Sequence, residues 1–127
     1  MLLVSVYLDK SPIEGIGVFA KSAIPAGTQI WQLDPRYDRL IPVEQWEAET
    51  GAVKDYLDRY AYPHRKDPRF IVFEGDDARY MNHADDPNCD VSPGDKAFAR
   101  RDIAAGEELT CDYGVFFDGS FEFLGDR

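Results

Sequence analysis

The chain has 127 residues, of which 44% are apolar, and its net charge is −10 at pH 7. This length predicts a single domain, and the apolar content excludes an intrinsically disordered chain. The excess of 24 acidic over 14 basic residues disfavours direct binding to nucleic acid or to an anionic membrane, and it favours a basic protein or peptide as partner.

The first residues predict a strand rather than a signal peptide. Apolar Val4, Val6 and Leu8 alternate with Ser5 and Tyr7, as expected for a strand with one buried face. The segment lacks the basic region that opens a signal peptide. No apolar run along the chain reaches membrane-spanning length, so we expect no membrane partner.

Two similar segments predict two strand–turn–strand hairpins. Residues 18–27 and 97–106 share a Phe, an Ala, a basic residue, an Ile and a final Ala-Gly in register. Pro25-Ala26-Gly27 is typical of a turn, here between strands at 18–20 and 28–33. We expect both copies to pack their Phe and Ile inward and to turn on the glycine.

The stretch between these hairpins contains the helical part of the chain. The spacing of one helix face recurs at Val53, Tyr56, Leu57 and Tyr60. Pro42 is suited to start an earlier helical turn, and Gly51 separates the two. Residues from about 35 to 64 therefore predict a small helical insert on a β scaffold. The continuous apolar run at 70–73 predicts a central strand after it.

Three short segments carry the candidate functional residues. The first is Gly15-Ile16-Gly17, the second runs from Arg79 through Asn82-His83 to Cys89, and the third runs from Glu107 to Tyr113-Gly114. Taken singly, each has an ordinary structural explanation: turn glycines, loop-forming Asn and Asp, and an aromatic packed on the core. The glycine pair is no dinucleotide fingerprint, because the third glycine and the strand–glycine–helix unit are missing.

A metal site is the main rival interpretation of the second segment. His83 and Cys89 are potential donors, and Asp85, Asp86 and Asp90 could add oxygens. A tight zinc site needs paired Cys or His at characteristic spacings, and this chain has no such pair. We therefore expect no metal. Two cysteines are also too few for a disulfide framework, which favours a reducing, intracellular and cytoplasmic location.

In this order and combination, the three segments resemble the signature of SET-domain protein lysine methyltransferases. The resemblance runs from about Lys10 to Phe117 and is to the compact stand-alone form, without flanking zinc modules. It implies a mainly β fold of the β-clip type, with several small sheets and a knot-like C-terminal core. One SET domain would span residues 1–127 and end in an aromatic tail from about residue 114. The implied reaction is methyl transfer from S-adenosylmethionine to the ε-amine of a lysine in a basic, histone-like protein.

The resemblance also implies roles for single residues. Tyr113 matches the active-site tyrosine, and Cys111 and Tyr113 would line the channel for the substrate lysine. The implied cofactor-binding residues are Gly15, Ile16, Gly17, Arg79, Asn82, His83, Tyr113, Phe116 and Phe117. Related enzymes often carry Phe or Tyr at the position of Cys111, so the smaller Cys suggests room for more than one methyl. A small buried core residue is an equally good interpretation of Cys111.

The chain departs from many relatives after the Asn-His pair. Where they read Asn-His-Ser-Cys, this chain reads Asn82-His83-Ala84-Asp85, and no cysteine follows Cys111. The post-domain zinc module is therefore expected to be absent, and the aromatic tail or a second subunit must close the lysine channel. Exposed aromatics in that tail predict a homodimer. With a histone substrate, the location would be nuclear, at chromatin.

Two other functions remain open at the level of sequence. One is a non-catalytic cofactor- or peptide-binding module that retains the fold. The other is a sugar-binding or antifreeze β-clip protein, since small β domains of that kind share similar hairpins. The sugar-binding or antifreeze alternative makes no use of the Asn-His and Asp-Tyr motifs, so the methyltransferase leads.

Overall fold

The computed structural model describes residues 1–116, which form ten short strands and two α-helices. In chain order these are β1 (Val6–Lys10), β2 (Ile16–Ala20), β3 (Gln29–Gln32), β4 (Arg39–Pro42), α1 (Val43–Ala48), α2 (Gly51–Tyr60), β5 (Tyr62–Pro63), β6 (Phe70–Phe73), β7 (Asn82–His83), β8 (Cys89–Asp90), β9 (Lys96–Ala99) and β10 (Glu108–Cys111). Two 3₁₀ turns cover Asp77–Tyr80 and Tyr113–Val115. The mainly β fold predicted from the sequence is confirmed.

The strands form three small sheets with the orders β1-β2-β10-β7, β3-β9-β8 and β4-β6-β5. Strand β10 lies between β2, to which it is antiparallel, and β7, to which it is parallel. In the parallel pair Thr110 lies opposite Asn82 and Cys111 lies opposite His83. This pairing places the C-terminal motif directly beside the Asn-His segment, although some 30 residues separate them in the chain.

The two repeated segments are corners between sheets, so the prediction of two hairpins is wrong. Strands β2 and β3 belong to different sheets, as do β9 and β10, and each copy pairs with the other. Buried Ile24 and Ile103 form the bridge at which the corners meet. Gly27 and Gly106 make the predicted turns with φ of 84° and 83°, where glycine is favoured. Local patterns predicted the turns but could not distinguish pairing within a copy from pairing between copies.

The N-terminal strand is shifted from its predicted position. Strand β1 begins at Val6, two residues later than the alternation suggested, and Leu8 is 37% exposed. Tyr7 stacks on Phe19 of β2 with ring centroids 5.5 Å apart. This contact on the outer face explains why Phe19 is only half-buried, contrary to the expectation that it would point inward.

The insert is only partly helical. Helices α1 and α2 form as predicted, but β4 and β5 flank them and pair with β6. Strand β6 is the centre of this third sheet, as its apolar run predicted. Two residues of the predicted helix face, Val53 and Tyr56, are exposed. Only part of this face therefore packs against the rest of the protein. Among residues 1–116, no helix is long and apolar enough to cross a membrane.

The main core lies between the first two sheets. It is built from β2, β3, β9 and β10, with Val18, Ile30 and Leu109 fully buried. A smaller cluster of Ile41, Ala61 and Ile71 holds the insert against the third sheet. Burial of each large aliphatic side chain contributes about 1.5–3 kcal/mol. The candidate site therefore rests on a well-packed β scaffold on one side and on a lightly packed insert on the other.

Candidate active site

Tyr113 follows strand β10 and lies where the three motif segments meet. Asp112 caps the following 3₁₀ turn by accepting a hydrogen bond from the N–H of Gly114 at 2.9 Å. The Tyr113 hydroxyl donates to the carbonyl of Met81 at 2.5 Å, and its backbone N–H donates to Nδ1 of His83 at 3.0 Å. The segment around β7 thus holds Tyr113 by both its side chain and its backbone.

Asn82 joins the second motif to the glycine segment. Its side-chain amide donates to the carbonyls of Glu14 and Ile16 at 3.1 and 3.2 Å, and to the Glu108 carboxylate at 2.9 Å. Gly15 has φ of 47°, and a Cβ added there would meet nothing within 4 Å. Asn82 therefore orders the turn while Gly15 faces open space, which is the arrangement needed for a ligand to approach bare backbone.

Gly17, unlike Gly15, is required because a side chain at its position would collide with a neighbouring residue. A Cβ at Gly17 would lie 2.3 Å from a carboxylate oxygen of Glu108. That carboxylate is held by the hydroxyl of Ser11, at 2.8 and 2.9 Å, as well as by Asn82. The glycine is therefore required because Glu108 occupies the space of a side chain, and Gly17 supports the turn from behind.

Two cavities meet at Tyr113, and three residues line both of them: Tyr60, Arg79 and Tyr113. The first, here called the polar cleft, is completed by Glu14, Gly15, Ile16, Arg59, Tyr80 and Asn82. The second, here called the aromatic pocket, has among its further lining residues Trp31, Tyr62, Glu74, Met81, Cys111 and Phe116. Tyr113 is 8% exposed and forms part of the wall that separates a polar chamber from an apolar one.

The polar cleft carries charge of both signs. Arg59 of α2 reaches the glycine turn, where its guanidinium lies 3.4 Å from the Glu14 carboxylate. Both side chains are partly exposed, so this ion pair contributes little to stability. Its members are available to a ligand that itself carries an ammonium and a carboxylate.

The aromatic pocket is built from buried rings and one buried acid. Tyr62 and Phe116 lie with ring centroids 4.5 Å apart. The Glu74 carboxylate accepts hydrogen bonds from the indole N–H of Trp31 at 3.0 Å and from the Tyr62 hydroxyl. Burial raises the pKa of Glu74 to about 7, and burial beside Glu74 raises the pKa of Tyr62 well above its usual value.

Arg79 fastens the insert to the wall between the two cavities. Its guanidinium donates to the backbone carbonyl of Glu74 at 2.8 Å and to the Tyr56 hydroxyl of α2 at 3.2 Å. It also lies 4.4 Å from the centre of the Phe73 ring. The hydrogen bond from Arg79 lowers the pKa of Tyr56, because a donor to the phenol oxygen favours the phenolate.

The residues predicted from the sequence divide into three groups. Gly15, Ile16, Arg79, Asn82 and Tyr113 line the polar cleft, whereas Cys111 and Phe116 line the aromatic pocket with Tyr113. Gly17 and His83 brace the site from behind through Glu108 and the Tyr113 backbone. Phe117 and the remainder of the predicted tail lie outside the described residues. The cofactor, catalytic and substrate-channel roles assigned to all of these residues remain predictions.

Sequence reasoning missed several lining residues, namely Glu14, Trp31, Arg59, Tyr60, Tyr62 and Glu74. Glu74 directly follows the apolar strand β6, and an acid at a strand exit is a weak signal for a site residue. In a chain with 24 acidic residues that signal does not stand out. Arg59 and Tyr60 lie at the end of the predicted helix, and only tertiary packing shows which way they face.

The metal donors considered for the second segment are otherwise engaged. His83 Nε2 lies 3.0 Å from the Asp85 carboxylate, and Cys89 is a buried thiol whose pKa burial raises to about 12. Within residues 1–116, no group of three or more His, Cys, Asp or Glu side chains could hold a metal ion.

Comparisons with known proteins point to one family. The model of the SET domain matches residues 15–114 of this chain. A histone-lysine N-methyltransferase of Mycosarcoma maydis, described as H3 lysine-4 specific, is 33% identical over 114 residues. The histone-lysine N-methyltransferase trr of Drosophila melanogaster is 32% identical over 123 residues. These alignments cover 82% and 86% of this chain but only 8% and 5% of the two relatives.

Solved structures give the same answer for the fold. A Polycomb Repressive Complex 2 structure from Chaetomium thermophilum, bound to GSK126, superposes with a TM-score of 0.66 at 27% identity. A ctPRC2 structure in an autoinhibited conformation, bound to S-adenosylmethionine, superposes with a TM-score of 0.67 at 28% identity. Each covers 91% of this chain and 16% of the other chain.

Proposed function

Because the chain belongs to the SET-domain family, we propose that it transfers methyl groups from S-adenosylmethionine to the ε-amine of a lysine in a basic protein. The observation that carries this proposal is the position of Tyr113 in the wall shared by the polar cleft and the aromatic pocket. A direct displacement needs donor and acceptor to approach the same point from opposite sides, and this wall lies between two chambers of different chemistry.

The polar cleft suits the amino-acid end of the cofactor. Arg59 and Glu14 offer one charge of each sign, and Gly15 leaves the backbone open beside them. A zwitterion can pair with both groups, while the weak, partly exposed ion pair between them costs little to separate. When bound, the cofactor supplies an electrophilic methyl group on a sulfonium.

Tyr113 would position the reacting groups rather than take up a proton. Its hydroxyl proton is already donated to the Met81 carbonyl, so the oxygen keeps its lone pairs as acceptors. A phenol oxygen and the neighbouring carbonyl form an electronegative lining that favours a positively charged methyl donor. Holding donor and acceptor in line on either side of this lining can lower much of the barrier.

The acceptor side would take a lysine side chain. A free lysine has a pKa of about 10.4 and is mostly charged at neutral pH, so it must lose a proton before it can attack. At the point of transfer beside Tyr113, apolar surroundings would favour the neutral amine, because desolvation disfavours the ammonium. Tyr62, Phe116 and Cys111 line this pocket and would surround the aliphatic stem.

The substrate is proposed to be a basic, histone-like protein. The relatives are named as histone-lysine methyltransferases, and the net charge of −10 favours basic partners. These names favour a nuclear, chromatin-associated location, and they give no support to a cytoplasmic one. A homodimer remains a prediction, and a strict monomer in sedimentation velocity at high micromolar concentration would remove it.

The experiment that tests the proposal is transfer of isotope-labelled methyl to a histone mixture and to a lysine peptide array. We expect labelled methyl-lysine with the wild-type chain and at least a hundredfold slower transfer with Tyr113→Phe. Tyr37→Phe is the matched control, because Tyr37 is 62% exposed and lies in neither cavity.

Three results would count against the proposal in different ways. Equal activity of Tyr113→Phe and wild type would remove the role assigned to this tyrosine. Binding of S-adenosylmethionine without transfer to any peptide would favour the non-catalytic binding module. No binding of the cofactor at all would leave only the family fold.

A further inference from the structure

We propose that Glu74 recognises the cationic end of the acceptor side chain inside the aromatic pocket. This inference rests on the proposed function, because it takes the aromatic pocket to be the acceptor side. Glu74 would therefore be a specificity-determining residue that favours an ammonium over a neutral group of the same length.

The Glu74 carboxylate retains capacity to bind a donor. An ionised carboxylate can accept about four hydrogen bonds, and among residues 1–116 two donors reach it, the Trp31 indole and the Tyr62 hydroxyl. The carboxylate also lines the aromatic pocket. A ligand that enters this pocket can therefore meet an acid that still has free acceptor positions.

Within the part of the chain that the structure describes, the Glu74 carboxylate forms no salt bridge. The neighbouring Asp38 raises the pKa of Glu74 further, whereas the N-terminal ammonium, which pairs with Asp38 at 2.9 Å, lowers it. Arg79 also lines the pocket, but its contact with Glu74 is to the backbone carbonyl.

Because Glu74 is buried, its negative charge has a high free-energy cost when no cation is bound, and its attraction for a bound cation is strong. Glu74 is 5% exposed, and a buried carboxylate without a charge partner is strongly penalised. An incoming ammonium would relieve the penalty that the empty pocket carries, and a neutral ligand would not.

A purely structural role makes a different prediction. If Glu74 only satisfies the Trp31 and Tyr62 donors, a neutral ligand and a cationic ligand of equal size should bind the pocket equally well. The two tryptophans of the chain give a direct readout, because each indole N–H donates to a carboxylate: Trp31 to Glu74 and Trp46 to Asp58.

The test is a titration of the ¹⁵N-labelled full chain at pH 8, above the pKa of about 7 of Glu74, with n-butylammonium, which mimics the lysine side chain, and with 1-butanol as the neutral analogue. Ionic strength is held constant with sodium chloride. We expect butylammonium to shift the Trp31 indole signal at a concentration about tenfold lower than butanol, since charge-assisted hydrogen bonds are about twice as strong as neutral ones. The Trp46 signal should report only general salt effects.

Two variants sharpen the test. In Glu74→Gln the preference for butylammonium should fall to about onefold, whereas in Asp58→Asn, the same change at the other indole, it should stay about tenfold. Equal shifts with both ligands in the wild type would overturn the inference, even if Glu74→Gln failed to fold. A preserved preference in folded Glu74→Gln would overturn it as well.

Failure of this inference and failure of the proposed function can be told apart. If the wild type methylates lysine but shows no ammonium preference, only the role of Glu74 is wrong. If it prefers ammonium but transfers no methyl, the cation site stands and the methyltransferase assignment falls. With an active peptide, Glu74→Gln should raise KM about tenfold and change kcat less, a split that a merely structural role would not produce.

Discussion

The two sides of Tyr113 are built by different means. The polar cleft consists of a glycine turn braced by Asn82 and of a partly exposed ion pair between Glu14 and Arg59. The aromatic pocket consists of buried side chains around an acid that is 5% exposed. Substitutions in the cleft should therefore change mainly the affinity for the ligand. Substitutions in the pocket should change both the free energy of unfolding and the recognition of the acceptor.

The largest effect that this comparison predicts is that of Asn82→Ala on cofactor binding. The variant removes the donor that holds the carbonyls of Glu14 and Ile16 and the carboxylate of Glu108. We expect at least a hundredfold weaker binding of S-adenosylhomocysteine by calorimetry. The free energy of unfolding should fall by about 1–3 kcal/mol, because buried acceptors are left unpaired.

Asn88→Ala is the matched control for that experiment. Asn88 is also buried and bonds to β10, donating to the Glu108 carbonyl and accepting from the Thr110 N–H, but it lines neither cavity. It should lower stability by a similar amount and leave the affinity for S-adenosylhomocysteine unchanged. Equal losses of affinity in both variants would show that binding follows stability rather than the position of Asn82.

The next effect concerns the pocket and its dependence on pH. Burial raises the pKa of Glu74 from 4.5 to about 7, so the native state holds a proton that the unfolded state releases between these values. The free energy of unfolding should therefore fall as pH rises through this window, by up to roughly 3 kcal/mol. Urea unfolding of wild type and Glu74→Gln at pH 5 and pH 8 measures this contribution. The wild type should lose stability relative to the variant at pH 8, and a parallel response of both chains would contradict the buried-acid description.

A smaller effect concerns Gly17, which supports the glycine turn from behind. Gly17→Ala would place a Cβ 2.3 Å from the Glu108 carboxylate, and the displaced acid should weaken cofactor binding about tenfold, in line with a strain of about 1–3 kcal/mol. Gly27→Ala is the control, because Gly27 has φ of 84° but open space around a Cβ. It should lower stability by about 1–2 kcal/mol without a change in affinity, and a tenfold loss there too would remove the special role of Glu108.

The smallest effect is on the product rather than the rate. Cys111 lines the aromatic pocket, and we predict that its small side chain allows more than one methyl to be added to the same lysine. Cys111→Leu should shift prolonged reactions toward monomethyl product in mass spectrometry, whereas Cys111→Ala should not. A wild-type enzyme that stops at one methyl would reject this prediction.

The motif residues of the polar cleft were predictable from the sequence, whereas its ion pair of Glu14 and Arg59 and the buried acid and rings of the aromatic pocket were not. Gly15, Asn82 and Tyr113 occur in short segments with a recognisable order, so their joint position followed from the resemblance. Trp31, Tyr62 and Glu74 come from three separate strands or strand ends and carry no local pattern. Their convergence depends on the pairing of β3 with β9 and of β5 with β6, which is a property of long-range packing.

The same limit explains the errors in the fold. The turns at Gly27 and Gly106 were predicted because turn chemistry is local. The pairing of the two repeated corners with one another was missed, because strand partners are chosen by the whole core. Strands β4 and β5 were missed as well, since a two-residue strand such as Tyr62–Pro63 has no periodicity to detect.

The central claim is that Tyr113 divides a cofactor cleft from an acceptor pocket. A crystal structure of the chain with S-adenosylhomocysteine tests it most directly. The account predicts that the amino-acid end lies between Gly15 and Arg59 in the polar cleft and that the sulfur contacts the Tyr113 side chain, with the aromatic pocket left open to the acceptor. A ligand seated in the aromatic pocket, or one whose sulfur lies away from Tyr113, would contradict it.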